Sequence, residues 1–491
     1  MKYTIIGSGF SGLSTAAYLS KAGHEVEVLE KNESLGGRAR QFKAKGYTFD
    51  MGPSWYWMPD VFENFFKDFG AKPSDFYDLI ELNPGFQIIF HESHTLKLSS
   101  KWEEVHALFE KYESGASKKL DAFMKEAQFK YGIGMNEVIH EPGLSIIELF
   151  KGVIIKNVFK LQMLSSYRKH VAKYFKNPYL VALLEFPVLF LGTAPSNTPA
   201  LYSLMTYSGI KQGTFYPMGG FSKVIDGMAK ICRQQGVKFH LNTEIKNIIV
   251  KKKKVVSVET NHKSFDVETL ICSADYHHID QEILNSQYSN YSKKYWNSRV
   301  LSPSCLLFYM GIDKKVDKLK HHNLFFDENI DNHVDDIYEK KVWPKKPLFY
   351  VCCPSKTDPS MAPKKKENLF ILIPITPGLE DNDSIRDSNF VTVMSRLEEY
   401  CGHEIIKHIE YKRSYCVNDF ISDYNSFKGN AYGLANTLNQ TANLKPKIIN
   451  KHINNLFYTG QLTVPGPGVP PSIISGKVVA SHVLKSKTLK K

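Results

Sequence analysis

The first thirty residues follow a hydrophobic and polar pattern that predicts a strand, a helix and a second strand. Residues 3–6 are apolar or β-branched and run directly into a glycine-rich turn at residues 7–12. Apolar residues then recur at helical spacing until Gly23, and residues 25–29 alternate as a strand does. Glu30 follows this second strand at once. This order of strand, glycine turn, helix, strand and acid is typical of a dinucleotide-binding unit.

Farther along the chain, the same patterns predict a mixture of helices and strands. Helical spacing predicts helices over 60–80 and 101–135, and apolar segments interrupted by prolines predict more helices between 140 and 200. The four lysines at 251–254 lie where a hairpin turn belongs between two short strands. The strands predicted in this part of the chain are 236–245, 245–250, 255–260, 270–274, 306–312, 348–352, 369–375 and 456–460. Helices mixed with strands in this way predict an α/β fold.

Composition and charge limit the classes of protein to which the chain can belong. The chain has 491 residues, 43% of them hydrophobic, which is enough for a large core in two or three domains. Its net charge of +13 favours anionic lipid or an acidic ligand, but no nucleic-acid motif accompanies the charge. The seven cysteines show no metal-ligand spacing, and without a secretory leader they indicate a reducing, cytoplasmic compartment. No stretch reaches the roughly 18 apolar residues of a membrane span.

Each glycine of the first turn has a separate task in binding a dinucleotide. Gly7 allows the tight turn, Gly9 lets a pyrophosphate approach the backbone, and Gly12 lets the helix pack on the strand. The helix N-terminus presents free N–H groups and a positive dipole end to the phosphates. Glu30, eighteen residues after Gly12, can accept hydrogen bonds from ribose hydroxyls.

A second glycine pair with an arginine, Gly36-Gly37-Arg38, follows this unit. The extended pattern resembles the flavoprotein family that includes amine oxidases, carotenoid desaturases and the GDP-dissociation inhibitors of Rab proteins. The resemblance implies bound FAD, with residues 50–54 and the strand, loop and helix after Leu456 near the flavin ring. The FAD-binding residues that the pattern and the resemblance imply are Gly7, Ser8, Gly9, Gly12, Glu30, Lys31, Gly37, Arg38, Gly52, Pro53, Ser54, Ile245, Asp275, Gly460, Gly468 and Val469.

The patterns and the resemblance together divide the chain. A Rossmann-like FAD-binding domain, formed by residues 1–84, 213–294 and 416–491, carries an inserted α+β substrate-binding domain. We predict that residues 85–212 form the helical, membrane-facing part of this insertion and that residues 295–415 form its strand-rich part.

Five further segments narrow the resemblance to bacterial-type phytoene desaturases over nearly the whole chain. They are residues 192–202, 213–220, 274–276, 321–322 and 460–476, in the order of that family. The resemblance implies an FAD enzyme that removes hydrogen from a C40 or C30 isoprenoid, converting phytoene towards lycopene-type carotenoids. The chain departs from the family in the loop 464–468 and in the aromatic stretch 55–57. Both departures bear on the substrate tunnel, so the substrate length and the number of desaturations stay open.

The implied chemistry needs few polar side chains. FAD accepts a hydride from an allylic carbon while a neighbouring carbon loses a proton, so the protein positions the substrate and excludes water. No metal site is expected, and the pairs 277–278 and 321–322 are interpreted as structural histidines. Two charged residues in the apolar insertion are candidate catalytic residues: Arg168, because the family commonly has an arginine there, and Glu185, because a buried carboxylate can stabilise a cation or accept a proton. A buried ion pair or a helix-end contact is the alternative for both.

The implied substrate dissolves in lipid, so the enzyme is expected to be cytoplasmic and peripheral to the membrane. Residues 146–164, taken as a helix, have the two faces of an interfacial helix, although a lid packed on the core fits the same pattern. The apolar face is Ile146, Ile147, Phe150, Val153, Ile154, Val158, Leu161 and Leu164, and the basic face is Lys151, Lys156 and Lys160. The resemblance implies oxygen or a membrane quinone as the electron acceptor.

Other functions on the same scaffold stay open. An amine oxidase shares it, although the cysteine that commonly links its flavin has no counterpart near residues 456–470. A later-acting carotenoid desaturase, a saturase or a ketolase would differ only in tunnel shape. A protein of the GDP-dissociation-inhibitor type would bind an isoprenoid without flavin or turnover, but the intact glycines and Glu30 argue against it.

Overall fold

The computed structural model describes residues 1–145, 148, 157, 160–163, 165–189, 192–437 and 440–488. Its strands are β1 (Lys2–Ile6), β2 (Glu25–Leu29), β3 (Gln41–Ala44), β4 (Tyr47–Asp50), β5 (Leu79–Glu81), β6 (Phe86–His91), β7 (His94–Leu98), β8 (Phe215–Pro217), β9 (Lys238–His240), β10 (Asn247–Lys251), β11 (Lys254–Glu259), β12 (Ser264–Asp266), β13 (Thr269–Cys272), β14 (Ser304–Ile312), β15 (His322–Phe325), β16 (Phe349–Cys352), β17 (Glu367–Ile375), β18 (Ile409–Tyr415) and β19 (Leu456–Tyr458). Its α-helices are α1 (Phe10–Lys21), α2 (Pro59–Asp68), α3 (Trp102–Tyr112), α4 (Ala116–Ile133), α5 (Tyr167–Ala172), α6 (Pro178–Leu189), α7 (Ser203–Thr206), α8 (Ser222–Gln234), α9 (Tyr276–His278), α10 (Lys293–Asn297), α11 (Ile330–Asp335), α12 (Asp383–Cys401), α13 (Val417–Tyr424) and α14 (Val469–Thr488).

A five-stranded parallel sheet in the order β19-β13-β1-β2-β9 forms the first layer. Its inner strands are buried almost throughout because both faces are covered, as is usual for parallel sheets. Helices α1, α8 and α14 pack on one face, and the three-stranded sheet β10-β11-β12 packs on the other. Helix α1 packs on α14, and Ser14 Oγ on α1 donates to the Ile473 carbonyl at 2.7 Å. The carboxyl ends of β1, β2, β13 and β19 meet at one edge, which is where such sheets bind their ligands.

A seven-stranded sheet in the order β18-β14-β17-β16-β15-β6-β7 forms the second layer. Neighbouring strands within this sheet are antiparallel except β15 and β6, which run parallel. Helix α12 covers one face and buries Val393, Met394 and Leu397 there. The opposite face turns Leu307, Leu324 and other apolar side chains towards helices α3 to α6. The described residues also form a separate three-stranded sheet in the order β10-β11-β12.

Three predicted helical segments differ from the structure. The helix predicted over 60–80 ends with α2 at Asp68, since Gly70 (φ 74°) and Pro73 follow, and residues 79–81 form β5 instead. The helix predicted over 101–135 is two helices, α3 and α4, separated at Gly115 (φ 73°). The segment 85–212, predicted to be helical, begins with the hairpin β6–β7, which joins the seven-stranded sheet.

Other predicted elements are confirmed. The lysine run forms the turn between β10 and β11, with Lys252 and Lys253 in the left-handed region at φ 47° and 59°. Every predicted strand from 270 onward overlaps an observed one. None of the described helices is long and apolar enough to cross a bilayer. The proposed interfacial helix 146–164 lies largely outside the described residues; of its apolar face only Leu161 is described, and that side chain is buried.

Candidate functional site

A cavity of about 640 Å³ extends from the carboxyl edge of the parallel sheet to the apolar face of the seven-stranded sheet. At one end it is lined by the glycine turn after β1, by Glu30 and by Asp275. At the other end its lining is predominantly apolar and aromatic, and includes Trp55, Phe326 and Phe370. The cavity therefore joins a dinucleotide-type cradle to an apolar chamber without a break.

The glycine turn is shaped for close backbone approach. Gly7 has φ 96°, and its N–H donates to the Leu29 carbonyl at 2.8 Å, which joins the turn to β2. A Cβ on Gly12 would lie 2.1 Å from the Gly7 carbonyl oxygen, so this position admits only glycine. A Cβ on Gly9 would meet no atom within 4 Å, because Gly9 faces the open cavity. The first N–H groups of α1 lie next to this turn and have no acceptor within the helix.

Glu30 fixes the turn as well as lining the cavity. Its Oε2 accepts hydrogen bonds from the backbone N–H and the hydroxyl of Ser8, at 2.9 and 2.5 Å. Its Oε1 accepts from the backbone and the side-chain amide of Asn32, at 2.9 and 3.0 Å. Four donors use the acceptor capacity of a carboxylate. A ribose hydroxyl at Glu30 would therefore replace the Ser8 hydroxyl or the Asn32 amide.

Arg38 and Asp275 both line the polar end of the cavity. Arg38 Nη2 donates to Ser426 Oγ at 3.0 Å, its guanidinium lies 5.0 Å from the Tyr424 ring centre, and its Nε has no partner among the described residues. Asp275 accepts from the His278 backbone N–H at the start of α9. Burial raises the pKa of Asp275 to about 6, and the charge of Arg38 acts in the opposite direction.

Most of the predicted FAD-binding residues lie on this cavity. Gly37 lines it beside Gly9, Ser54 lines it and accepts from the Tyr350 hydroxyl at 3.0 Å, and Lys31 lines it while donating to the Ser422 carbonyl. Those of the predicted set that line the wall are Gly7, Ser8, Gly9, Glu30, Lys31, Gly37, Arg38, Gly52, Pro53, Ser54, Ile245, Asp275, Gly460, Gly468 and Val469. Gly12 does not line the cavity and instead packs α1 against the turn.

The two candidate catalytic residues lie elsewhere. Arg168 Nε and Nη2 donate to the two oxygens of Glu185 at 3.0 and 2.9 Å, and Arg168 Nη1 lies 2.8 Å from Asp331. This bidentate contact raises the pKa of Arg168. Neither residue lines the cavity, although Phe186 next to Glu185 does. The structure thus brings the pair together as an ion pair outside the cavity wall, and its catalytic role stays a prediction.

The histidine pair 321–322 lies near Cys352, with ligand atoms of the three residues within 4.8 Å of one another. His321 Nδ1 is bonded to Thr357 Oγ1, His322 Nδ1 is bonded to Tyr350 Oη, and Trp55 stacks on His322 at 4.0 Å. Burial raises the pKa of the Cys352 thiol to about 12. The interpretation of both histidines as structural stays a prediction.

The sequence pattern did not indicate the C-terminal end of α13 or one lysine as parts of the site. Asp423, Tyr424 and Asn425 line the cavity, and the Tyr424 ring lies against both Arg38 and Arg40. Lys445 is 2% exposed and adjoins the cavity-lining loop 464–468. Neither carries a sequence signal, because a lone lysine and a tyrosine at the end of a surface helix are both typical of exposed positions.

Comparison with known proteins identifies the family. The family model described as flavin containing amine oxidoreductase matches residues 10–484. The chain belongs to the flavin-containing amine oxidoreductase family. Among members with similar sequences, it is 37% identical to the carotenoid 3,4-desaturase of Haloarcula japonica over 98% of both chains. It is 25% identical to the zeta-carotene-forming phytoene desaturase of Myxococcus xanthus, over 98% of this chain and 94% of that protein.

A solved structure of an oxidoreductase from Methanosarcina mazei shares the fold, with a TM-score of 0.64 at 17% identity over 99% of this chain and 100% of that one. The predicted α/β fold and the predicted resemblance to carotenoid desaturases are therefore confirmed. As a member of the flavin-containing amine oxidoreductase family, the protein is an FAD-dependent oxidoreductase. The open space at Gly9, the free N–H groups of α1 and the unpartnered Arg38 Nε fit an anionic dinucleotide at the sheet edge.

Proposed function

We propose that the protein desaturates a long isoprenoid hydrocarbon, taking phytoene towards lycopene-type carotenoids. The observation that carries this proposal is the continuous cavity that is polar at the glycine turn and predominantly apolar at its far end. A polyene has no polar group to anchor, so an apolar chamber of this kind is what it needs. The names of the two carotenoid desaturases at 37% and 25% identity support the same substrate class.

In this proposal Gly7, Gly9, Glu30 and Arg38 hold the FAD, which accepts a hydride when it is bound. The remaining contribution of the chain is to position the substrate and to exclude water. Trp55, which lines the apolar end of the cavity, is held by its stacking on His322 at an interplanar angle of 13°. Phe326 and Phe370 line the apolar end, where dispersion contacts hold a methyl-branched hydrocarbon chain that offers no hydrogen-bonding group.

A second candidate is 3,4-desaturation of a carotenoid that is already conjugated. It is favoured by the higher identity to the Haloarcula japonica carotenoid 3,4-desaturase than to the Myxococcus xanthus phytoene desaturase. The two candidates share the flavin site and the chemistry, and they differ in which carbon–carbon bond the chamber brings to the flavin.

The test is to incubate the purified flavoprotein under air with liposomes that contain either phytoene or lycopene. New red-shifted polyene bands from phytoene would support the first candidate. A red shift of the lycopene bands, with no change in the phytoene sample, would support the second. Unchanged spectra with both substrates would contradict the proposal. A charge in the chamber is expected to abolish turnover but to leave the flavin spectrum intact, so Phe326→Glu is the informative variant. Phe129→Glu is its control, because Phe129 is 38% exposed.

We further propose that the protein works at a membrane surface and passes its electrons to oxygen or a quinone. The net charge of +13 supports attraction to anionic lipid, and a lipid-soluble substrate requires access from a bilayer. Reoxidation rates of the reduced enzyme with oxygen and with a soluble quinone would identify the acceptor.

A further inference from the structure

A buried lysine without a partner lies behind the wall of the cavity. Lys445 is 2% exposed, and among the described residues its Nζ has no hydrogen-bond acceptor. Residues 441–443 line the cavity, whereas Lys445 points into the protein behind them. An ammonium removed from water without an anion is strongly unfavourable, so its presence here needs an explanation.

The lysine adjoins one loop of the cavity wall. Its Nζ lies 3.3 Å from the position that a Cβ on Gly466 would take. The unpartnered Oδ1 of Asn436 lies 3.2 Å from the same position. Gly466 is buried, while its neighbours Pro465 and Pro467 line the cavity. The ammonium is therefore separated from the cavity by the thickness of this one loop.

The helix that follows the loop offers few donors of its own. Helix α14 starts at Val469 beside the cavity, where a helix N-terminus normally presents free N–H groups. Pro470 and Pro471 have no N–H, and the Ser472 N–H donates to the Gly468 carbonyl at 3.0 Å. The first turn of α14 is thus left with the Val469 N–H as its backbone donor to a negative charge in the cavity.

We propose that Lys445 is a positioning residue whose ammonium, behind the loop 464–468, stabilises the negative charge that the flavin gains on reduction. A hydride brings one proton and two electrons, so a neutral flavin that accepts it carries one added negative charge. The field of an ammonium acts across a thin, water-free loop with little screening. Burial lowers the pKa of Lys445 to about 7 in the flavin-free chain, and a nearby anion would hold its proton in place. This inference rests on the proposed redox function but not on the identity of the carotenoid.

The test is the midpoint potential of the flavin in the loaded protein, measured against a reference dye without any carotenoid. For Lys445→Met we expect the equilibrium between oxidised and reduced flavin to shift about tenfold towards the oxidised form, which is about 30 mV for a two-electron couple. Lys445→Gln is expected to behave in the same way, and Lys445→Arg to keep the potential near that of the wild type. Lys451→Met is the control, because Lys451 is exposed in the same segment and loses the same charge.

The melting temperature of the flavin-free protein separates this role from a structural one. Removal of an unpartnered buried charge is expected to leave that temperature equal or higher in Lys445→Met. An unchanged potential in both Lys445→Met and Lys445→Gln would overturn the proposal, whatever happens to stability. The wild-type protein could also fail to desaturate phytoene and lycopene while the Lys445 variants alter the flavin potential. That result would support the role proposed for Lys445 and contradict the proposed substrate instead.

Discussion

At the scale of single residues, the flavin cradle depends on where the chain has room for a methyl group. Gly12 has none, since a Cβ there would lie 2.1 Å from a carbonyl oxygen, and Gly9 has ample room within the cavity. Two alanine substitutions three residues apart therefore separate folding from flavin binding.

We expect Gly12→Ala to destabilise the protein by about 3 kcal/mol or more and to prevent flavin loading, because the backbone must move to accept the methyl group. Gly9→Ala, with φ at −68°, is expected to keep the melting temperature and to lose flavin, because its methyl group would occupy the space of the pyrophosphate. The measurements are the ratio of flavin to protein absorbance and thermal unfolding. Full flavin content in both variants would contradict this assignment of the cradle.

Glu185→Gln tests the ion pair with Arg168. A structural pair predicts a loss of about 1–3 kcal/mol in unfolding free energy, because the guanidinium loses its bidentate partner, while turnover per folded molecule stays unchanged. Asp331→Asn is the matched control, since Asp331 contacts the same guanidinium from an exposed position and should cost less than about 1 kcal/mol. Turnover lost without loss of stability would instead support the catalytic role predicted for Glu185.

Asp275 gives the flavin-free protein a defined pH dependence. Its pKa is raised from an ordinary 3.8 to about 6, so between these values the folded chain binds more of this proton than the unfolded chain does. Its contribution to stability is therefore greatest below pH 3.8 and is lost as the pH rises through 6. We expect Asp275→Asn to gain up to about 3 kcal/mol over the wild type between pH 4 and pH 7 in chemical unfolding. Asp266→Asn, at an exposed position, should show no such gain.

At the scale of elements, the contact between α1 and α14 holds the two ends of the chain together. A Cβ on Gly476 in α14 would lie 2.5 Å from the Ser11 carbonyl oxygen and 2.6 Å from Ser14 Cβ. Helices that approach this closely need glycine at the point of contact, although glycine is a poor helix former.

Gly476→Ala is therefore expected to destabilise the protein by about 2 kcal/mol, opposite in sign to the gain of up to about 1 kcal/mol that helix propensity alone predicts. Ser481→Ala, at an exposed position of the same helix, is the control and should be neutral or stabilising. Thermal unfolding of both variants decides the matter, and a stabilised Gly476→Ala would show that the helices can move apart without cost.

The elements that could be predicted from sequence are those whose signal is local. The turn at Gly7, the helix α1 and the acid at Glu30 follow from spacing alone, and so does the hairpin at Lys252 and Lys253. The place of the hairpin β6–β7 in the seven-stranded sheet could not be predicted in the same way, because β6 pairs in parallel with β15, more than two hundred residues away. Burial of Lys445 was equally inaccessible, since it depends on a loop that folds over the lysine from a later segment.

At the scale of the whole molecule, the basic charge predicts how the protein meets a membrane. We expect it to float with liposomes that contain anionic lipid, and less so as the salt concentration rises, because screening weakens attraction between surface charges. Phe150→Asp combined with Ile154→Asp should reduce flotation if the segment 146–164 inserts into the interface. Equal flotation of this double variant would remove that segment from the contact, and the exposed Phe129→Asp is its control.

The parallel sheet draws its strands from residues near 5, 27, 239, 270 and 457, so the last strand to be synthesised lies at its edge beside β13. At a usual rate of translation, about 20 to 90 s separate the appearance of β1 from that of β19. From its own synthesis until β19 follows, β13 keeps an open edge, and helix α14, which packs on α1, does not yet exist. Flavin can therefore bind only late in the synthesis of the chain. A ribosome that stalls before residue 456 releases a fragment that is prone to aggregate rather than a partly active enzyme.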